Sequence, residues 1–256
     1  MKDVKEMLNR RLGLMGVIFF VVVVLVYSMA FANSANLKQW IGEWKRSDSS
    51  VFEPSALTIT QVTDSEVAFS LHAWSGGNSG RTAGVAKIEG RRAVFSGEDY
   101  EFIFEFSKDK IVVSESGRIP AGLNVGYRGE YIRSERMKPI VFPTLSEFRF
   151  LTPKQDEILK QISGKYYEKF QHTAQLKTER DDLDGYGARV YQFNQNGMFG
   201  YIESIVMMNE KGEMWAAVVD GDQVRYFTNT DMKRSLPKTI EKWREGFKEG
   251  KVIFEE

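Results

Sequence analysis

The stretch "EFIFEF", residues 101–106, decides the fold class of the first half of the chain. Phe102, Phe104 and Phe106 occupy every second position, and Glu101 and Glu105 stand between and before them. Successive side chains of a β-strand point to opposite faces, so this alternation places one face against a core and the other in solvent. The stretch therefore predicts a half-buried antiparallel strand.

Similar strands are predicted on both sides of this stretch, across residues 37–134. Each is a short run rich in β-formers, and turn signals of Gly, Asn, Asp and Ser separate most of them. The eight predicted strands are residues 43–46, 56–62, 66–74, 82–89, 92–96, 101–107, 110–116 and 125–133. Closure into an up-and-down barrel leaves no exposed sheet edge, so a barrel is the predicted architecture, with a β-sandwich as the alternative.

The motif Gly42-Glu43-Trp44 opens this run of strands, and Arg133 ends it. Over residues 40–133 the chain resembles lipocalins and related calycin barrels, which open with Gly-x-Trp. The resemblance implies that Trp44 closes the barrel base and that Arg133 stacks on it. The strands are short, which favours an interior filled by side chains over a ligand cavity. Small barrels of this sort also resemble bacterial lysozyme inhibitors, which act through surface loops.

The second half of the chain predicts an α+β domain over residues 151–256, after a proline-containing linker at 135–150. Thr152, Pro153 and Gln155 form a helix start with an N-cap, a proline in the first turn and a capping box. Predicted strands at 188–193, 199–208, 213–219 and 223–228 follow as an antiparallel meander, and a last helix is predicted at 237–247. This half resembles no named family.

The first 32 residues have the pattern of an export signal. Basic residues precede an uncharged run at 12–32, which ends in Ala30-Phe31-Ala32, the small-x-small pattern of a cleavage site. The run also reaches the ~20 residues that span a bilayer, so a cleaved signal peptide and a retained membrane anchor both remain open. Either alternative predicts that residues 33–256 are extracytoplasmic.

Composition excludes several function classes. The chain has no cysteine, so disulfides, thiol nucleophiles and Cys-ligated zinc are ruled out. Thirty-five basic residues balance thirty-five acidic ones, which argues against nucleic acid as a partner. With only two histidines and no phosphate or dinucleotide motif, we predict no cofactor, no metal ligand and no catalytic residue. Any membrane contact is predicted to occur only through residues 12–32.

The acidic stretch "DDLDG", residues 181–185, invites a calcium interpretation. An EF-hand loop needs oxygen ligands at positions one, three and five, a glycine at six and a glutamate at twelve. With Gly185 at six, Arg180 falls at one and Tyr191 at twelve, so the motif fails at both ends. A solvated loop is the prediction, and a calcium site of another type remains open.

The stretch "SGGNSG" resembles the nucleophile loop of chymotrypsin-fold proteases. That chemistry needs a histidine base and an orienting acid on an earlier barrel, and only His72 precedes Ser79. We therefore predict a six-residue hairpin loop, exposed as a candidate contact surface together with the loop at 117–126. Its residues are Ser75, Gly76, Gly77, Asn78, Ser79 and Gly80.

Two functions follow from these patterns. The first is an exported, non-enzymatic protein with a binding, inhibitory or envelope-associated role, whose partner is a protein or envelope component. The second is a secreted hydrolase acting on wall polymer or peptide. Its carboxylates would come from Asp181, Asp182, Asp184 or Glu203.

Overall fold

The computed structural model describes residues 38–247 and 250–255. The predicted signal peptide or anchor, residues 1–32, lies outside these ranges. Within them, no helix has both the length and the hydrophobicity of a membrane span.

Eight antiparallel strands form a closed barrel, as the alternating patterns predict. The strands are β1 (Gly42–Arg46), β2 (Ser55–Val62), β3 (Glu66–Ser75), β4 (Asn78–Glu89), β5 (Arg92–Ser96), β6 (Tyr100–Phe106), β7 (Lys110–Gly117) and β8 (Gly129–Arg133). Each strand pairs with the next, and β1 pairs with both β2 and β8. Because this last pairing leaves no free edge, the alternative β-sandwich is excluded.

The barrel interior is occupied by side chains. In β6 the three phenylalanines of the opening stretch are buried, and the residues between them face outward. Phe69 of β3 lies within 4.7 Å of Phe104, measured between ring centroids, and both are buried. Aromatic side chains bury large areas and supply most of the stabilisation of a core this small. The predicted filled interior is therefore present.

The second half contains a six-stranded sheet and three helices. The helices are α1 (Pro153–Ser163), α2 (Tyr167–Thr173) and α3 (Lys238–Arg244), and the strands are β9 (Leu176–Arg180), β10 (Arg189–Asn194), β11 (Glu203–Met208), β12 (Met214–Asp220), β13 (Gln223–Thr228) and β14 (Lys251–Phe254). The sheet order is β14-β13-β12-β11-β10-β9. Strands β9 and β14 were not predicted, and β14 runs parallel to β13, so the sheet is larger than the predicted meander.

The two faces of this sheet are covered by different helices. One face carries Val206 and Met208 and packs with Leu159 of α1 and Phe170 of α2. The other carries Ile205, Met207 and Tyr226 and packs with Ile240 of α3. Helix α1 begins as predicted: Thr152 Oγ1 accepts from the Gln155 amide, and Gln155 Oε1 accepts from the Thr152 amide.

The end of the predicted linker belongs structurally to the second core. Leu145 is fully buried there, and its backbone amide donates to the Tyr167 hydroxyl oxygen at 3.1 Å. The Tyr167 hydroxyl in turn donates to Asp156 Oδ1 at 2.6 Å. Residues before this point carry the chain from the barrel to the second sheet.

Candidate functional site

The barrel-closing residues meet as the resemblance implies. Trp44 and Arg133 are directly paired across β1 and β8, and the guanidinium carbon of Arg133 lies 4.0 Å from the centroid of the Trp44 ring. Arg133 Nη1 also donates to the Ile41 carbonyl at 2.8 Å. Gly42 has a φ of 130°, and a Cβ there would lie 2.6 Å from Arg133 Nη1, so this position requires glycine. The three residues therefore form one contact cluster where β1 pairs with β8.

The hairpin at "SGGNSG" differs from the prediction. Ser75 pairs with Asn78, so the loop contains only Gly76 and Gly77 between β3 and β4. Gly76 has a φ of 59°, as the first central residue of a type II′ turn requires. The prediction of a six-residue exposed loop is wrong, because Ser75 and Gly80 are buried.

The tip of this hairpin docks on the second domain. The Gly77 amide donates to the Asn196 carbonyl at 2.8 Å. Ser75 Oγ accepts from Asn196 Nδ2 at 3.2 Å and from Gln175 Nε2 at 3.3 Å. The predicted second contact loop joins this cluster, because the Leu123 carbonyl accepts from Asn196 Nδ2 at 3.2 Å. Both predicted loops therefore contact the chain itself, and this contact connects the barrel to the second sheet.

Ser79 has no catalytic surroundings. It pairs with Trp74 in the β3–β4 ladder, and His72 pairs with Arg81. Ser79 is an exposed strand residue and does not lie in a loop, because the strand β4 begins at Asn78.

Two of the candidate hydrolase carboxylates are occupied by backbone donors. Asp182 accepts from the amides of Asp184 and Gly185 at 3.1 Å and from the Ala188 amide at 3.0 Å. Asp184 accepts from the amides of Lys238 and Thr239 at 2.8 and 2.9 Å. The residue before α3 is Pro237, which offers no side-chain cap, so Asp184 caps this helix from a distant loop. In the described ranges, no three His, Asp or Glu side chains cluster as metal ligands would.

A cavity of about 720 Å³ opens on the second domain, between β9–β11 and α3. Its volume lies in the range of small-molecule sites. Of the residues that the structure describes, four charged ones line it: Arg180, Asp181, Glu203 and Lys242. The structure thus brings together two of the four predicted candidate carboxylates, Asp181 and Glu203, and leaves Asp182 and Asp184 in structural roles.

Glu203 is the buried charged group of this cavity, with 5 % of its surface exposed. It faces α3 together with Ile205, two residues along β11. Oε2 accepts from Gln192 Nε2 at 3.0 Å, and Oε1 accepts from the Gly200 amide at 3.0 Å. A carboxylate offers about four lone-pair positions, so each oxygen retains capacity for another donor.

The remaining polar groups of the cavity lie above Glu203. Arg180 Nε donates to Gln192 Oε1 at 2.8 Å, so the Gln192 amide stands between the guanidinium and the buried carboxylate. Lys242 Nζ forms an ion pair with Glu245 at 2.7 Å. Sequence reasoning missed Arg180, Gln192 and Lys242, because they come from a strand, a neighbouring strand and a helix whose registers no local pattern reveals.

Apolar side chains complete the walls. Trp243, Ile205 and Leu183 line the cavity, and Phe199 stands at its mouth with 57 % of its surface exposed. An apolar wall with a few convergent polar groups is typical of a small-molecule site. The arrangement can hold a compact ligand, hydrogen-bond it at the buried carboxylate and contact it with aromatic rings.

A second depression, of about 450 Å³, lies on the barrel surface. Three of the charged residues that line it already pair: Arg92 with Glu89 at 2.8 Å, and Lys110 with Glu130 at 2.6 Å. These groups have little remaining capacity for a ligand, so the cavity at Glu203 is the candidate functional site.

Comparisons with known proteins give no relative. No protein-family model matches the chain, and neither a curated protein nor a solved structure matches it. The protein is therefore characterised by its fold and its site: an eight-stranded barrel is joined to an α+β domain that carries a cavity of small-molecule size.

Proposed function

We propose that the protein is an exported, non-enzymatic binding protein that holds an envelope component in the cavity at Glu203. The observation that carries this proposal is a buried carboxylate, 5 % exposed, on the floor of a cavity of about 720 Å³. Burying a charge is costly unless it is paired, so a buried carboxylate that faces a cavity is suited to receive a ligand group. The filled barrel is then a rigid support, and the second domain makes the ligand contact.

The export part of the proposal rests on the sequence of residues 1–32. A basic region, an uncharged run and an Ala-x-Ala site favour translocation of everything from residue 33 onward. A chain without cysteine is also compatible with an oxidising compartment, since it has no thiol to mispair. Membrane contact is proposed only through residues 12–32, if they are retained.

Kinship of the barrel with lipocalins and other calycins is likewise proposed. Its support is the Gly42-Glu43-Trp44 opening together with the Arg133 guanidinium 4.0 Å above the Trp44 ring. Ligand binding inside the barrel is not part of this proposal, because core side chains occupy the interior.

Binding is tested with the purified full chain against a library of small amines, saccharides, peptides and acids, by thermal shift. Leu183→Trp adds bulk to the cavity wall at a side chain that is 51 % exposed, and Val85→Trp does the same on the barrel at an equally exposed side chain. We expect hits that raise the melting temperature of wild type and of Val85→Trp, but not of Leu183→Trp. A library without hits, or hits that bind all three proteins equally, would overturn the proposal.

A hydrolase remains the second candidate, because Asp181 and Glu203 line the same cavity. Two carboxylates at one site are the minimum for glycoside hydrolysis. Mass spectrometry of each hit after incubation decides between the candidates. Unchanged ligand supports binding, whereas conversion that Glu203→Gln abolishes supports the hydrolase.

A further inference from the structure

The charges of the cavity at Glu203 are arranged to receive a ligand that is itself doubly charged. Among the described residues, no Lys, Arg or His lies within ion-pair distance of the Glu203 carboxylate, although 95 % of the residue's surface is buried. Its two hydrogen bonds come from neutral donors, the Gln192 amide and the Gly200 amide. A buried carboxylate without a cation is expensive to keep, and a cationic ligand group would offset that cost.

Arg180 is the complementary group. It lines the same cavity, and its Nε donates to the neutral Gln192 amide. In the part of the chain that the structure describes, no carboxylate lies within ion-pair distance of its guanidinium. An arginine has five N–H donors in a planar fork that matches a carboxylate in two-point contact. The guanidinium therefore offers a site for an anionic ligand group.

The Gln192 side chain holds these two charges apart. One end of its amide accepts from Arg180 at 2.8 Å, and the other donates to Glu203 at 3.0 Å. The amide prevents the arginine and the glutamate from neutralising each other directly. The 2.8 Å and 3.0 Å hydrogen bonds, with the amide group between them, set a separation of the same order as the roughly 7 Å that two extended residues span.

We propose that the cavity binds a free dipeptide, with its ammonium on Glu203 and its carboxylate on Arg180. This inference rests on the proposed binding function and names the ligand class. A single α-amino acid is too short, because one carbon atom separates its two charged groups. Ile205 and Trp243 provide apolar walls for small apolar side chains between the two ends.

The proposal is tested by isothermal titration of the full chain with L-alanyl-L-alanine and three analogues: the N-acetylated dipeptide, the C-terminal amide and L-alanine. Removing a charged group from a ligand weakens binding, and most strongly where its protein partner is buried, as Glu203 is. We expect each blocked dipeptide to bind at least about tenfold more weakly than the free dipeptide, and L-alanine weaker still. These arms change the ligand only, so they do not depend on the folding of any variant.

Protein variants assign each end of the ligand. N-acetylation should weaken binding to wild type but not to Glu203→Gln, and amidation should weaken binding to wild type but not to Arg180→Gln. Glu179→Gln and Arg189→Gln make the same charge changes at exposed strand residues that do not line the cavity, so both should bind as wild type does.

The outcomes separate this inference from the proposed function. Equal binding of free and blocked dipeptides overturns the inference. No dipeptide binding, with another compound bound in a manner that Leu183→Trp blocks, also overturns it but leaves the binding function in place. A cavity that takes no compound at all overturns both.

Discussion

Replacing Asp184 with alanine removes the group that caps α3 from outside the helix. The carboxylate accepts from the Lys238 amide at 2.8 Å, the Thr239 amide at 2.9 Å and the Thr239 hydroxyl at 2.8 Å. Water can replace Asp184 at Lys238, where the contact is exposed, but Thr239 is 4 % exposed and would keep unsatisfied donors. The cost is therefore concentrated at Thr239.

The structure sets the size of the effect. A lost N-cap costs about 1 kcal/mol and at most about 2, and hydrogen bonds to a charged acceptor fall at the upper end of the range for such bonds. We expect Asp184→Ala to lower the free energy of unfolding of the second domain by about 2–3 kcal/mol. For a protein of this size that loss corresponds to a melting temperature lower by about 4–12 °C. Asp184→Asn keeps one acceptor oxygen and should cost less.

Hydrogen exchange localises the effect. The amides of α3 should exchange about 30-fold to 150-fold faster in Asp184→Ala, whereas those of β6 in the barrel should not change. Asp181→Ala is the matched control, because Asp181 is a neighbouring exposed carboxylate. If Asp184→Ala and Asp181→Ala unfold alike and α3 exchanges at the wild-type rate, the carboxylate does not stabilise the helix and the reasoning is refuted.

Three further changes test other contacts. Arg133→Ala should lower barrel stability by about 1–3 kcal/mol in urea unfolding, since it removes the stack on Trp44 and a backbone hydrogen bond; Arg133→Lys should recover little of it. Burial raises the pKa of Tyr131 to about 12, above the value of about 10 in the unfolded chain. The protonated hydroxyl therefore contributes its full stabilisation below pH 10, and about 2–3 kcal/mol of the free energy of unfolding is lost as the pH rises to 12. The free energy of unfolding of Tyr131→Phe should depend less on pH between 10 and 12. Gly76→Ala should destabilise more than Gly90→Ala in thermal melts: both have positive φ, of 59° and 68°, but only a Cβ at Gly76 would meet the second domain, at 2.5 Å. Equal melting temperatures for the two glycine variants would contradict the docking contact.

The barrel could be predicted from sequence because apolar residues of its inward face alternate with outward-facing residues along the strands. Strands such as β6 place phenylalanine at every second position, and the tertiary fold follows that pattern. The length of the β3–β4 turn could not be predicted, because three glycines and an asparagine within six residues favour a long loop as much as a two-residue turn. The choice between them depends on Asn196, which meets Gly77 from the other domain and is remote in sequence.

The cavity could be predicted only in part. Glu203 and Asp181 could be proposed from sequence because carboxylates are common catalytic groups. The strand β9, which carries Arg180, could not be predicted, because all five of its residues are exposed and it shows no apolar alternation. The sequence predicts that the strand containing Glu203 starts at Phe199, whereas it starts at Glu203. The loop before it folds back, and the Gly200 amide donates to the Glu203 carboxylate. Three adjacent strands had to be in register before the site existed, and local sequence patterns do not determine that register.

The pairing of β1 with β8 also constrains how the barrel folds. The hairpins between β2 and β7 join neighbours in sequence and can form within microseconds, whereas Trp44 must wait until Arg133 has been synthesised. Until then, β1 has a free side whose unpaired backbone can add a strand from another molecule. Closure of the ring is therefore the late, non-local step of folding, and the interval before it is when the chain is most exposed to aggregation.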